Sequence, residues 1–126
     1  MRDPALVREI IRQMLEAIER IERRVSGLTN PNDFVTNNEG LDRLDASCMM
    51  LIAIGESCKH LDKVTGGELL SKCPDIDWKG VMGIRDVISH HYFDINAEVV
   101  YSTCKTHIPR LKVALETLSR EMDSLG

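Results

Sequence analysis

Arg85, His90 and Tyr92 stand at fixed offsets, R-x4-H-x-Y, inside a chain whose surroundings are apolar and helically patterned. A guanidinium holds a phosphodiester through two parallel hydrogen bonds and keeps its charge at any working pH. An imidazole titrates near neutrality and can move the proton of a ribose hydroxyl. The phenol of Tyr92 is a third polar group within reach, and Asp86 and Ser89 are polar neighbours on the same segment. Together these types suit chemistry at a phosphate.

Spacing alone does not assemble them. Five residues from Arg85 to His90 turn the side chains about 140° apart on an ideal helix, with a rise of about 7.5 Å. Arg85, Ser89 and Tyr92 share one helical face at steps of four and three, while Asp86 and His90 share another. A joint site therefore needs either a helix that ends near His90, so that its side chain swings back, or a two-fold axis that joins the motifs of two subunits.

The elements that must position these residues read as helices. Asp3-Pro4 is an N-cap followed by a proline at the first helical position. Val7, Ile11, Met14, Ile18, Ile21, Val25 and Leu28 then form one stripe, which Ser26-Gly27 begins to end. Asn30 to Asp33 is a turn, with a short helical piece at Phe34-Val35. A second long helix is predicted from about Glu39 to Val64, stopped by Gly66-Gly67, with Leu41, Leu44, Cys48, Leu51, Gly55 and Cys58 on its stripe. From Met49 to Ile54 its apolar surface nearly encircles the backbone, which calls for burial on more than one side, and Gly55 would admit a second helix closely.

Glu68 to Cys73 reads as a short helix ended by Pro74, and Asp77 caps the helix that carries the motif. The last helix begins after Asn96, with Ala97, Tyr101, Cys104, Ile108, Leu111, Leu115, Leu118, Met122 and Leu125 at heptad-like steps. Pro109 sits inside it and should kink or split it. The expected fold is all-α: an up-and-down bundle of three long and one or two short helices, forming one domain over residues 1–126.

Composition narrows the function. With 43% hydrophobic but 4% aromatic residues, the core is aliphatic. A net charge of −4 excludes a general polyanion binder, so any nucleic acid must meet a local basic surface. Cys48, Cys58, Cys73 and Cys104 form no C-x2-C pair, the opening residues show no signal-peptide pattern, and reduced thiols in the cytoplasm are the expectation. Their spacing with His60, His90, His91 or His107 does not match a structural zinc motif, and no apolar run reaches membrane-span length.

R-x4-H-x-Y, with Trp78 upstream and Tyr92-Phe93-Asp94 at its end, resembles the signature of the HEPN superfamily and, more narrowly, of its HepT-like toxin ribonucleases. The segment Leu51 to Leu61, with Ile54-Gly55-Glu56 and Lys59, is similar to that family's IGEA-x-K-x-L helix, and Pro109 falls where those proteins often carry a proline. The resemblance implies a homodimer with a composite cleft that cleaves RNA without a metal or other cofactor, leaving a 2′,3′-cyclic phosphate. Arg85 and His90 would be catalytic.

It also implies a toxin-antitoxin pair of the type VII kind, in which a minimal nucleotidyltransferase silences the toxin by transferring AMP to Tyr92. Asp86 replaces the asparagine that commonly follows the arginine; a carboxylate there can bond His90 or pair with Arg85. Two other readings stay open. The same helices could form a non-catalytic dimer that serves a nucleotidyltransferase as partner or substrate-binding subunit, or Arg85 and Asp86 could belong to an ordinary surface ion-pair network with a histidine at the helix end.

Overall fold

The predicted helix starts have local physical causes in the computed structural model, which describes residues 3–90 and 92–125. Helix α1 (Pro4–Val25) starts where the Asp3 carboxylate accepts the Leu6 amide at 3.1 Å, with Pro4 at the first turn. Its predicted stripe from Val7 to Val25 is buried, while Leu28 beyond the helix is partly covered.

A 3-10 turn (Pro31–Phe34) follows, closed by reciprocal bonds between Asn30 and Asp33. The Thr29 amide, together with that of Asn30, donates to Asp33 and holds its carboxyl below the ordinary value. The turn delivers Phe34 into the core, where it is fully buried and meets Tyr101 edge-on with ring centroids 6.4 Å apart.

Helix α2 (Asn38–Val64) is capped by Asn37. It ends at Thr65, after which Gly66 and Gly67 adopt φ of 63° and 78°, a conformation glycine takes without strain. Leu41, expected on the buried stripe, is 40% exposed. Gly40 is buried in its place, because the 3-10 turn lies across the start of α2 and a side chain at Gly40 would collide with the Asp33 carbonyl. Met49 also faces outward.

Helix α2 is central all the same. It packs along α1 on one side and helix α3 (Trp78–His90) on another. The short helix expected before Pro74 is a 3-10 turn (Leu70–Lys72). Helix α3 opens with the Asp77 carboxylate accepting the Gly80 amide at 3.0 Å and the Trp78 indole N–H donating to the Cys73 carbonyl at 2.9 Å.

The last helix is neither split nor sharply ended at Pro109. Helix α4 (Ala97–Ser102), capped by Asn96, passes through a π turn (Thr103–His107) into helix α5 (Ile108–Leu125). In that turn the Ile108 amide donates to Thr103, five residues back. The wider winding just before Pro109 makes room for a ring that has no amide to give.

Leu111, Leu115, Leu118 and Met122 of α5 complete the aliphatic core with α1 and α2, and no strand occurs among the described residues. Helix α3 rests on α2 and barely touches the last helix. An apolar groove is left between them.

Candidate active site

The crossing of α2 and α3 sets where the motif stands. Gly55 has no side chain at the point of contact: a Cβ there would lie 2.8 Å from the Val81 carbonyl oxygen and 2.9 Å from Ile84 Cγ2. The close approach predicted from Gly55 is therefore real, and it is made by the helix that carries Arg85. One residue on from the contact, Glu56 reaches the guanidinium: Arg85 Nη1 lies 3.6 Å from Glu56 Oε1, and Lys59 Nζ lies 3.6 Å from the same oxygen.

All three side chains are about half exposed, so this network is open to solvent. Exposed pairs of this kind contribute about 0–1 kcal/mol. Glu56 thus orients Arg85 without holding it against a stronger anion. A phosphate offers the guanidinium two oxygens in the same fork geometry and can displace the carboxylate.

Arg85 and Ser89 lie on one flank of α3 and are exposed, as is Asp86. That flank is turned roughly 120° around the helix from Gly80, Ile84 and Ile88, which face the groove. Helix α3 ends at His90, and Tyr92 begins a 3-10 turn (Tyr92–Asp94). The shared helical face expected for Arg85, Ser89 and Tyr92 consequently stops at Ser89, since Tyr92 belongs to the next turn. The first of the two arrangements that the motif spacing required also needs the His90 side chain to swing back. The side chains of His90 and Tyr92, and all of His91, lie outside the described residues.

Sequence reasoning left Asp86 to bond His90 or to pair with Arg85, and it did not single out Glu56 as a carboxylate within reach of Arg85. The available signal was its position next to Gly55: a residue beside a helix crossing reaches the neighbouring helix. The remaining singled-out residues behave as structure. Tyr101 packs on Phe34 with Lys105 Nζ 5.8 Å from its ring centre, and His60 and His107 face solvent. Cys48, Cys58 and Cys104 are buried free thiols, and burial pushes them up to about 11, 12 and 12.

The all-α bundle, with its arginine-bearing helix pressed on a Gly-Glu helix, is consistent with the HEPN-like fold that the sequence resemblance implied. Residues 14–118 match the family described as Ribonuclease HepT-like, and the chain belongs to that family. A candidate RNase of Caldanaerobacter subterraneus subsp. tengcongensis is 33% identical, with 90% of this chain and 96% of that protein covered. The protein named Probable ribonuclease HepT of Thermococcus cleftensis is 27% identical over 90% of this chain and 96% of its own length. A candidate RNase of Methanocaldococcus jannaschii is 30% identical over 58% of this chain, which spans 57% of that relative. No solved structure matches the chain.

Proposed function

We propose that this protein is the toxin of a toxin-antitoxin pair of the type VII kind, a cytoplasmic endoribonuclease that needs no metal. The observation that carries the reading is Arg85: a solvent-open guanidinium, steered by one weak carboxylate contact, five residues before the end of its helix at His90. Membership of a ribonuclease family points the same way.

In the proposed reaction Arg85 binds the scissile phosphate and stabilises charge building on its oxygens. The ribose 2′-oxygen attacks phosphorus, giving up its proton to one His90 imidazole acting as base. As the O2′–P bond forms, the P–O5′ bond breaks, and the leaving oxygen takes a proton from a second imidazole acting as acid. The products are a 2′,3′-cyclic phosphate and a 5′-hydroxyl. DNA has no 2′-hydroxyl and is spared.

A homodimer would supply the second His90. Val87 and Val99, 56% and 52% exposed, line one end of the groove beside α3, and Phe93 in the turn after the helix is 96% exposed; apolar surface of this kind would suit a contact with a second copy. Tyr92 would be the acceptor of AMP from a minimal nucleotidyltransferase antitoxin. An anionic adenylyl group next to Arg85 would occupy the phosphate site and exclude RNA.

The test is cleavage of total RNA in EDTA by the unmodified protein, with His90→Ala and Arg85→Ala compared at equal fold and oligomeric state. Cleavage by the wild type that both variants lack supports the reading. Intact RNA with an unmodified, folded wild type rejects it.

A further inference from the structure

A net charge of −4 gives RNA no general attraction to this chain, so a strand must be held by cations gathered at the site itself. Elsewhere, basic side chains such as Arg43 and Lys112 each have a carboxylate of their own, Glu39 and Glu22. At the crossing of α2 and α3 the arrangement differs. Arg85 and Lys59, from different helices, converge on one carboxylate oxygen: Glu56 Oε1 lies 3.6 Å from Arg85 Nη1 and 3.6 Å from Lys59 Nζ.

One carboxylate cannot neutralise two cations, and the three groups together carry one positive charge in excess. The shared oxygen also limits spacing, since the two cations stand at most twice 3.6 Å apart. Consecutive phosphates of a single nucleic-acid strand are spaced on that same order. A strand with one phosphate on Arg85 therefore brings its neighbour within reach of Lys59.

The surface on either side of Glu56 gives the strand its direction. Towards the N-terminal end of α2 the exposed positions are Ala53, Met49 and Asp45, apolar and then acidic. Towards the C-terminal end they include Lys59 and Lys63, at steps of three and four from Glu56 on one helical face. Phosphate finds partners in the second direction.

We propose that Lys59 forms a second phosphate subsite, which holds the phosphate next to the scissile one while Arg85 holds the scissile phosphate itself. The inference rests on the nuclease reading and adds a positioning residue outside the Arg-His-Tyr motif, on the other helix of the crossing. Glu56 spaces the two cations in the absence of RNA, and both turn from it as two phosphates arrive. A grip at two points fixes how the strand lies across the motif.

Binding is read apart from cleavage on a single-stranded 2′-O-methyl oligoribonucleotide, whose blocked 2′-oxygen cannot attack phosphorus. Its dissociation constant is measured against salt concentration for the full chain and its variants. Each phosphate contact to a single strand contributes about 0.7 to the slope of log affinity on log salt. Lys59→Gln, at an exposed position, should lower the slope by about that amount and weaken binding several-fold at low salt, and Lys59→Arg should restore both. Lys72→Gln removes the same charge beside Glu121 of α5 and should stay close to the wild type. With cleavable RNA, Lys59→Gln should raise KM and leave kcat within about twofold.

No saturable binding by the folded wild type overturns the proposal, as does an unchanged slope in Lys59→Gln. An equal fall in Lys72→Gln overturns it too, because the effect would then be one of net charge. A lower kcat at unchanged KM does the same, since Lys59 would act on the transition state and not on strand binding. Because the slope is read on RNA that is not cut, a wild type that shows the Lys59-dependent slope yet cleaves nothing rejects the nuclease reading alone.

Discussion

Arg85 of the motif helix is paired across the helix crossing with Glu56, Nη1 to Oε1 at 3.6 Å, and Glu56 follows the glycine that allows the two helices to touch. Fold and chemistry meet at that junction. Gly55 sets the distance between α2 and α3, and that distance sets where the guanidinium stands. The pair is exposed, so its value is positional and its energy small.

Gly55→Ala should therefore damage stability and site together. The new methyl meets a backbone carbonyl, which cannot turn aside as a side-chain end would, so α3 must shift. Overpacking of this kind costs about 1–3 kcal/mol. A thermal melt should show a lower midpoint, and RNA cleavage should fall by more than the unfolded fraction explains. An unchanged melt would contradict the close approach.

Glu56→Gln tests the orienting role. The neutral amide frees Arg85 from its competitor, and the pair is too exposed for its loss to change the melting midpoint measurably. RNA should bind more tightly, by a few-fold at low salt, as one negative charge leaves the phosphate path. Maximal turnover should be unchanged or lower, because the guanidinium is less constrained. Weaker RNA binding would show that Glu56 does not compete with phosphate.

Ser47 offers a stabilising change. Its hydroxyl is fully buried in α2 with no hydrogen-bond partner among the described residues. A buried unsatisfied hydroxyl costs about 1–3 kcal/mol, and alanine is the better helix former. Ser47→Ala should raise the unfolding free energy by roughly 1 kcal/mol in a denaturant titration. A loss of stability would reveal a bonded water at the hydroxyl.

The buried thiols predict a stability loss in alkali. Burial holds Cys58 and Cys104 at about 12 and Cys48 at about 11, against 9.0 for an ordinary thiol. Below pH 9 the thiols are neutral in both states and the contribution is complete. As pH rises from 9 toward 12 the unfolded chain ionises first, so the contribution is lost over that window. Denaturant midpoints should fall through pH 9 to 10, and replacing Cys58 and Cys104 by alanine should flatten the slope. At pH 8 a thiol reagent should reach half-buried Cys73 first and the other three only on unfolding.

Helices and their ends were readable from the chain because their causes are local. Asp3-Pro4, Asn37, Gly66-Gly67, Asp77 and Asn96 act within one turn of where they stand, and the apolar stripes of α1 and the last helix follow directly from a period of 3.6. The residue types for phosphate chemistry were equally plain, and with the Gly-Glu helix they were enough to name the family. Leu41 was misjudged because its exposure depends on the 3-10 turn that lies across α2, a contact no periodicity contains. The π turn ahead of Pro109 escaped for a related reason: proline forbids a hydrogen bond, but whether the helix kinks, breaks or widens depends on the core it must keep in register.

Tertiary structure alone decided that Arg85 meets Glu56, and that the other flank of α3 borders a groove with Arg110 and Asp75 on opposite rims. Those pairings join residues far apart in the chain. They arise from how closely two helices can pack, which Gly55 permits and only the folded bundle realises.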